Sequence, residues 1–176
     1  MLVCLVASSV LAFTYKITNP RIIAQKELEE KQALKSVLPG ADDFKEENSH
    51  YLGYKNSWLA GYVLKIKAKG YSAGIDMLVG IDSTGTIQGI TILEQTETPG
   101  LGAKITEIKY GEKDSWFLRQ FKGKSASDLN FTKLTAITGA TISSRAVMNT
   151  VKTKVEEFLK NNQSPNSKLQ IITNTQ

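Results

Sequence analysis

The run Ile137-Thr138-Gly139-Ala140-Thr141-Ile142-Ser143-Ser144 sets four hydroxyls and one glycine directly ahead of a helical pattern. That pattern, Ala146, Val147, Thr150, Val151, Lys154, Val155, Phe158 and Leu159, keeps helical spacing to about Asn161-Asn162. The chain must therefore turn at Gly139, which tolerates positive φ, and enter a helix within a few residues. Such a junction suits an anion. The first N–H groups of a helix lack partners, the aligned peptide dipoles add positive potential, and the hydroxyls are further donors. The same residues also read as a multiply capped helix start, since Ser and Thr side chains satisfy those N–H groups in many helices. On this run alone the two readings stand level.

The preceding chain alternates rather than winds. Leu59, Gly61 and Val63, then Leu64, Ile66 and Ala68 against Lys65, Lys67 and Lys69, follow period two with one register break, as a half-buried, bulged strand would. Residues 74–82 and 86–94 are two more apolar strands, joined by Ser83-Thr84-Gly85, and the three predict an antiparallel meander. Residues 103–110 and 115–121 read as short helices covering one sheet face, the second opening at Asp114-Ser115 and carrying Trp116, Phe117, Leu118 and Phe121. Residues 41–56 are polar apart from Phe44, Tyr51 and Tyr54 and read as a loop or short hairpin. The fold class is α+β. A chain of 176 residues suits one such domain with attachments.

The amino-terminal end differs in kind. Residues 1–15 hold no charge, and Leu2, Val3, Leu5, Val6, Val10, Leu11, Ala12 and Phe13 are apolar all round rather than on one stripe. The run is shorter than the roughly 20 residues that span a bilayer. It reads as a membrane anchor rather than a signal-peptide core, because Ala7-Ser8-Ser9 is a poor cleavage site and the run continues to Phe13. An earlier start would supply the missing basic flank. Lys16 and Arg21 by themselves favour an inward-facing domain. Asn19-Pro20 then reads as the cap and first turn of a stalk helix, stopped by Pro39-Gly40.

Composition removes several chemistries. The single cysteine, Cys4, excludes an internal disulfide, a CxxC pair and a cysteine-ligated iron–sulfur cluster. The single histidine, His50, has no second imidazole for a zinc site and reads as a surface loop residue. Paired catalytic carboxylates and a Ser-His couple are missing, which argues against a hydrolase. The net charge of +5 is scattered without a basic and aromatic stripe, so anionic lipid suits it better than nucleic acid.

Thr138-Gly139-Ala140-Thr141 followed by Ser143-Ser144, together with Glu97-Thr98-Pro99-Gly100-Leu101-Gly102 and Gly70-Tyr71-Ser72, resembles the FMN-binding domain family. The form it is most similar to is the G subunit of the Rnf electron-transport complex. The resemblance covers residues 58–159. It implies FMN esterified through its phosphate to Thr141 by a flavin transferase. Gly139 and Ala140 would then let the backbone approach, and Thr138, Ser143 and Ser144 would be phosphate or cap donors. Thr98, Gly100, Leu101 and Gly102 would border the flavin ring; Glu97 would tune its potential or be simply solvated, and Tyr71 would approach the cofactor or lie in the core. The family usually has an acidic residue six positions before the acceptor, where this chain has Thr135.

The implied organisation is a transmembrane anchor (1–18), a stalk helix and connecting loop (19–57), an FMN-binding domain (58–162) and a tail (163–176). The implied role is electron relay in an ion-translocating ferredoxin:NAD oxidoreductase, beside membrane and iron–sulfur partner subunits. The domain would lie on the extracytoplasmic side of the cell membrane. The alternatives are the C subunit of the sodium-pumping NADH:quinone reductase, for which the chain is short, and a tethered anion-binding module without redox work.

Overall fold

A computed structural model describes residues 2–108, 110–112 and 114–163. The chain divides into two compact units, residues 1–33 and 34–176.

The first unit is the long part of helix α1 (Leu2–Val37). The expected restart at Asn19-Pro20 does not occur: Pro20 lies inside a continuous helix, where it lacks the N–H that would bond the Lys16 carbonyl. Val3, Val6, Val10, Leu11 and Phe13 are exposed, and the Ser8 and Thr14 hydroxyls fold back 2.8 Å onto the Cys4 and Val10 carbonyls. No helix among the described residues is long and apolar enough to cross a membrane.

The second unit is built on a five-stranded antiparallel sheet in sequence order: β1 (Asp43–Glu47), β2 (His50–Lys55), β3 (Trp58–Lys69), β4 (Gly74–Asp82) and β5 (Ile87–Gln95). The polar segment 41–56 is thus a hairpin that extends the sheet. Tight two-residue turns explain why: Asn48 has φ of 54°, while Asn56 and Ser57 have φ of 48° and 69°, the paired positive values that match strand twist. The meander of three predicted strands is β3 to β5.

The register break read at Val63 and Leu64 has another cause than a bulge. Pairing of β3 with β4 is continuous from Gly61 to Lys69, and both Val63 and Leu64 are buried because both sheet faces are covered there. The actual bulge lies earlier, where Ala60 is the extra residue between the Gly53–Gly61 and Tyr54–Leu59 pairs.

One sheet face carries the main core. Leu64, Ile66, Met77, Val79, Ile81 and Ile87 meet Val147, Met148, Val151 and Val155 of helix α3 (Thr141–Gln163), and Phe117 and Phe121 close its other end. On the opposite face the last turn of α1 lies against backbone: a Cβ on Gly80 would collide with the Val37 carbonyl, and one on Gly89 would stand 3.0 Å from Val37 Cα. Glycine is required at both for this approach. The two predicted short helices are a 3₁₀ turn (Gly102–Thr106) and a single α-turn, α2 (Trp116–Arg119). His50 is a half-buried strand residue, not a loop residue; its ring stands edge-on to Phe158 at 5.0 Å. Of the predicted tail, 163–176, Gln163 is instead the last residue of α3, and the rest lies outside the described residues.

Candidate functional site

Two turns of the same kind face each other. In the first, Leu101 N–H donates to the Thr98 carbonyl (3.1 Å), with Pro99 second and Gly100 third at φ of 76°. In the second, Ala140 N–H donates to the Ile137 carbonyl (2.9 Å), with Gly139 third at φ of 80°. Positive φ at the third position is the demand that glycine meets in type II turns. The turns touch, since a Cβ on Gly139 would lie 3.4 Å from a Leu101 methyl. Between them opens a cleft of about 360 Å³, at the small end of the roughly 300–1,000 Å³ usual for ligand pockets.

The floor of the cleft is Glu97, only 5% exposed. Its Oε2 accepts from Ser143 Oγ at 2.6 Å, and its Oε1 accepts from the N–H groups of Ser72 (3.0 Å) and Ala73 (3.2 Å). One carboxylate thereby ties the β3–β4 turn, the end of β5 and the first turn of α3 together. Gly70 and Gly102 are obligatory neighbours, because a Cβ on either would collide with a Glu97 carboxylate oxygen. Burial pushes the Glu97 pKa up, but the Ser143 hydroxyl and the Ala73, Ser72 and Tyr71 backbone donors outweigh it, so the group titrates below the ordinary glutamate range. Glu97 is therefore ionised at neutral pH. It is not solvated.

The four hydroxyls of 137–144 divide into two pairs. Ser144 is buried, donating to the Ala140 carbonyl (2.9 Å) and accepting from Ile137 N–H (3.1 Å), so it fastens the turn to the helix. Ser143 is buried on Glu97. Thr138 and Thr141 are exposed, and among the described residues neither hydroxyl has a partner. Thr141 opens α3 and lines the cleft, whereas Thr138 and Gly100 stand outside its lining.

Of the lining residues, Ile142 is not picked out by sequence reasoning, and Tyr71 is left open between the cofactor and the core. Tyr71 is 70% exposed on the cleft and is not a core residue; Ile142 is 56% exposed, and Leu101 48%. A signal for Ile142 does exist: it is apolar yet lies off the stripe of Val147, Val151 and Val155. Together these side chains offer a planar ligand an apolar rim above a polar floor. That combination fits an isoalloxazine ring. Among the described residues the fit to a phosphate rests on Thr141 and on the backbone N–H groups at the α3 start, because their lining includes no Lys or Arg. Arg145, one turn beyond Thr141, instead lies over the Phe131 ring at 4.8 Å. Among the described residues no cluster of His, Cys, Asp or Glu could hold a metal.

Residues 70–156 match the family model described as FMN-binding domain, a span that holds both turns, Glu97 and Thr141. The fold and cleft thus define an FMN-binding domain protein. The G subunit of a proton-translocating ferredoxin:NAD(+) oxidoreductase complex from Clostridium ljungdahlii is 34% identical over 165 residues, covering 88% of this chain and 85% of that protein. The G subunit of a Na(+)-translocating ferredoxin:NAD(+) oxidoreductase complex from Acetobacterium woodii is 30% identical over 184 residues, covering 87% and 85%. The crystal structure of Shewanella oneidensis NqrC aligns with a TM-score of 0.47 at 19% identity, over 70% of this chain and 67% of that one. The chain belongs to the G-subunit family of the Rnf ion-translocating oxidoreductase complexes.

Proposed function

We propose that this protein is an electron-carrying subunit of an Rnf-type ferredoxin:NAD oxidoreductase, holding FMN by a phosphoester to Thr141. The observation that carries the attachment site is the exposed, unpartnered Thr141 hydroxyl at the mouth of a cleft with an apolar rim. The bound flavin supplies reversible electron transfer, which no side chain of this cleft can supply. The residues supply position. Leu101, Tyr71 and Ile142 border the ring, Gly102 and Gly139 keep the backbone close, and Thr98 and the α3 amino terminus stand at the polar side.

In the attachment step Thr141 Oγ1 forms a bond to phosphorus of a flavin nucleotide carried as a phosphoanhydride by the transferase. The anhydride P–O bond breaks, its leaving phosphate departs, and the threonine proton is lost with it. An ester through Thr141 would hold the flavin in a shallow cleft, where it would supply electron exchange with partner redox subunits. We further propose that residues 1–18 hold the protein at the cell membrane, in keeping with the exposed apolar side chains of α1, with residues 58–162 acting as the flavin domain on the extracytoplasmic side. The coupling ion, proton or sodium, belongs to the partner subunits.

The test is intact mass and in-gel flavin fluorescence after denaturation, on protein made beside a flavin transferase. The expected adduct is one FMN minus water, mapped to Thr141; an unmodified chain with an active transferase would overturn the attachment and point to Thr135 as the break in transferase recognition. Alkaline carbonate extraction of membranes checks the anchor, with full release as the contrary outcome.

A further inference from the structure

Among the described residues, the cleft proposed to hold a phosphate-bearing cofactor is lined by one ionised acid and by no Lys or Arg. Among the described residues Glu97 is the sole charged one in the lining, it is buried, and its hydrogen bonds come from neutral donors: the Ser143 hydroxyl and backbone N–H groups. It also stands where a free anion would be expected to bind. Ser143 is the third residue of α3, so the carboxylate that its hydroxyl bonds lies beside the first turn of that helix. The second buried hydroxyl, on Ser144, is saturated by the turn, and the nearest guanidinium in sequence, on Arg145, is stacked on Phe131. Two of the hydroxyls that make the sequence look like a phosphate cradle therefore hold protein groups.

We infer that Glu97 is a specificity-determining residue that disfavours a free phosphate dianion in this cleft, so that the apo-protein prefers the uncharged ring system and retains FMN only through the Thr141 ester. The inference rests on the proposed ester, and it gives that ester a physical reason. A phosphate monoester is close to doubly charged at neutral pH, whereas the diester formed with Thr141 carries a single charge, so attachment removes about half of the repulsion as well as the need for phosphate affinity. In an ordinary phosphate site, cations and helix N–H groups would draw the dianion in. Here a carboxylate bonded to the side chain of the third α3 residue puts a negative charge beside that helix end.

The full chain, made without transferase, is titrated with riboflavin and with FMN at low ionic strength, reading flavin fluorescence. Riboflavin is expected to bind at least threefold tighter than FMN, and the preference is expected to shift at least tenfold toward FMN in Glu97→Gln. Because that variant can lose its fold along with the clasp, the wild type is also read across salt: the FMN penalty shrinks as screening rises. FMN binding tenfold tighter than riboflavin to the wild type would overturn the inference, as would a ratio unmoved by both salt and substitution, or binding of neither flavin. Labelling of Thr141 beside the transferase is scored separately. A labelled chain that prefers free FMN sinks this inference alone, and an unlabelled chain sinks the ester.

Discussion

The two turns that wall the cleft share one backbone design and do opposite work. Residues 98–101 and 137–140 each place a glycine at positive φ in third position and each lead into a helical segment. The first stands beside a buried charge, Glu97, whose partners come from two other parts of the chain. The second presents Thr141, an exposed hydroxyl whose value lies in having no partner. A local turn can be written in a few residues, but its chemistry follows from what the rest of the fold does to each side chain.

The sharpest way to separate the two walls is Thr141→Ala. It is expected to abolish covalent flavin in the denaturing-gel assay while changing stability by no more than about 0.5 kcal/mol, since the side chain is exposed. Retention of full labelling would move the attachment elsewhere. On the other wall Gly102→Ala should lower thermal stability by about 3 kcal/mol, because the new Cβ collides with Glu97 and lies 2.8 Å from Ser143 Oγ. Unchanged melting would mean that the clasp is looser than its geometry implies.

Ser143→Ala removes one donor from the buried carboxylate and should cost about 2 kcal/mol in denaturant unfolding. Glu97 also predicts an acid dependence. Its folded pKa is depressed, so its stabilisation is present above the unfolded value of about 4.5 and is lost as pH falls through the folded value. The stability gap between wild type and Glu97→Gln should therefore narrow below pH 4.5; a constant gap would show that charge is not what the clasp uses. The smallest effect lies far from the cleft. Desolvation against Phe158 and Tyr62 lowers the His50 pKa despite nearby Glu47, so stability should decline slightly as pH falls below the ordinary 6.5, and His50→Phe should remove that component.

Much of the domain is legible in sequence because its signals are local. An apolar run bounded by turn residues locates β4 to the residue, the glycine turns announce themselves, and the apolar stripe of α3 needs only helical spacing. The hairpin at 43–55 is half-hidden, since its strands are mostly polar and its turns use Asn and Ser at positive φ rather than glycine. The continuity of α1 through Pro20 is masked, because a proline after a good capping residue looks like a start. At the site, the motif locates both turns and Thr141, but Tyr71 and Glu97 stay ambiguous between core, cofactor and solvent.

Family, α+β class and the two turns that converge on the cleft can be read from the chain alone, since turn chemistry, side-chain period and motif spacing are properties of neighbouring residues. Which hydroxyls remain available, and what charge the cleft carries, depend on how distant segments pack. Ser143 meets a carboxylate 46 residues away in sequence, and Glu97 in turn draws on N–H groups 24 and 25 residues before it. A buried carboxylate is ionised or neutral according to its donors, and those donors are brought together by packing rather than by proximity along the chain.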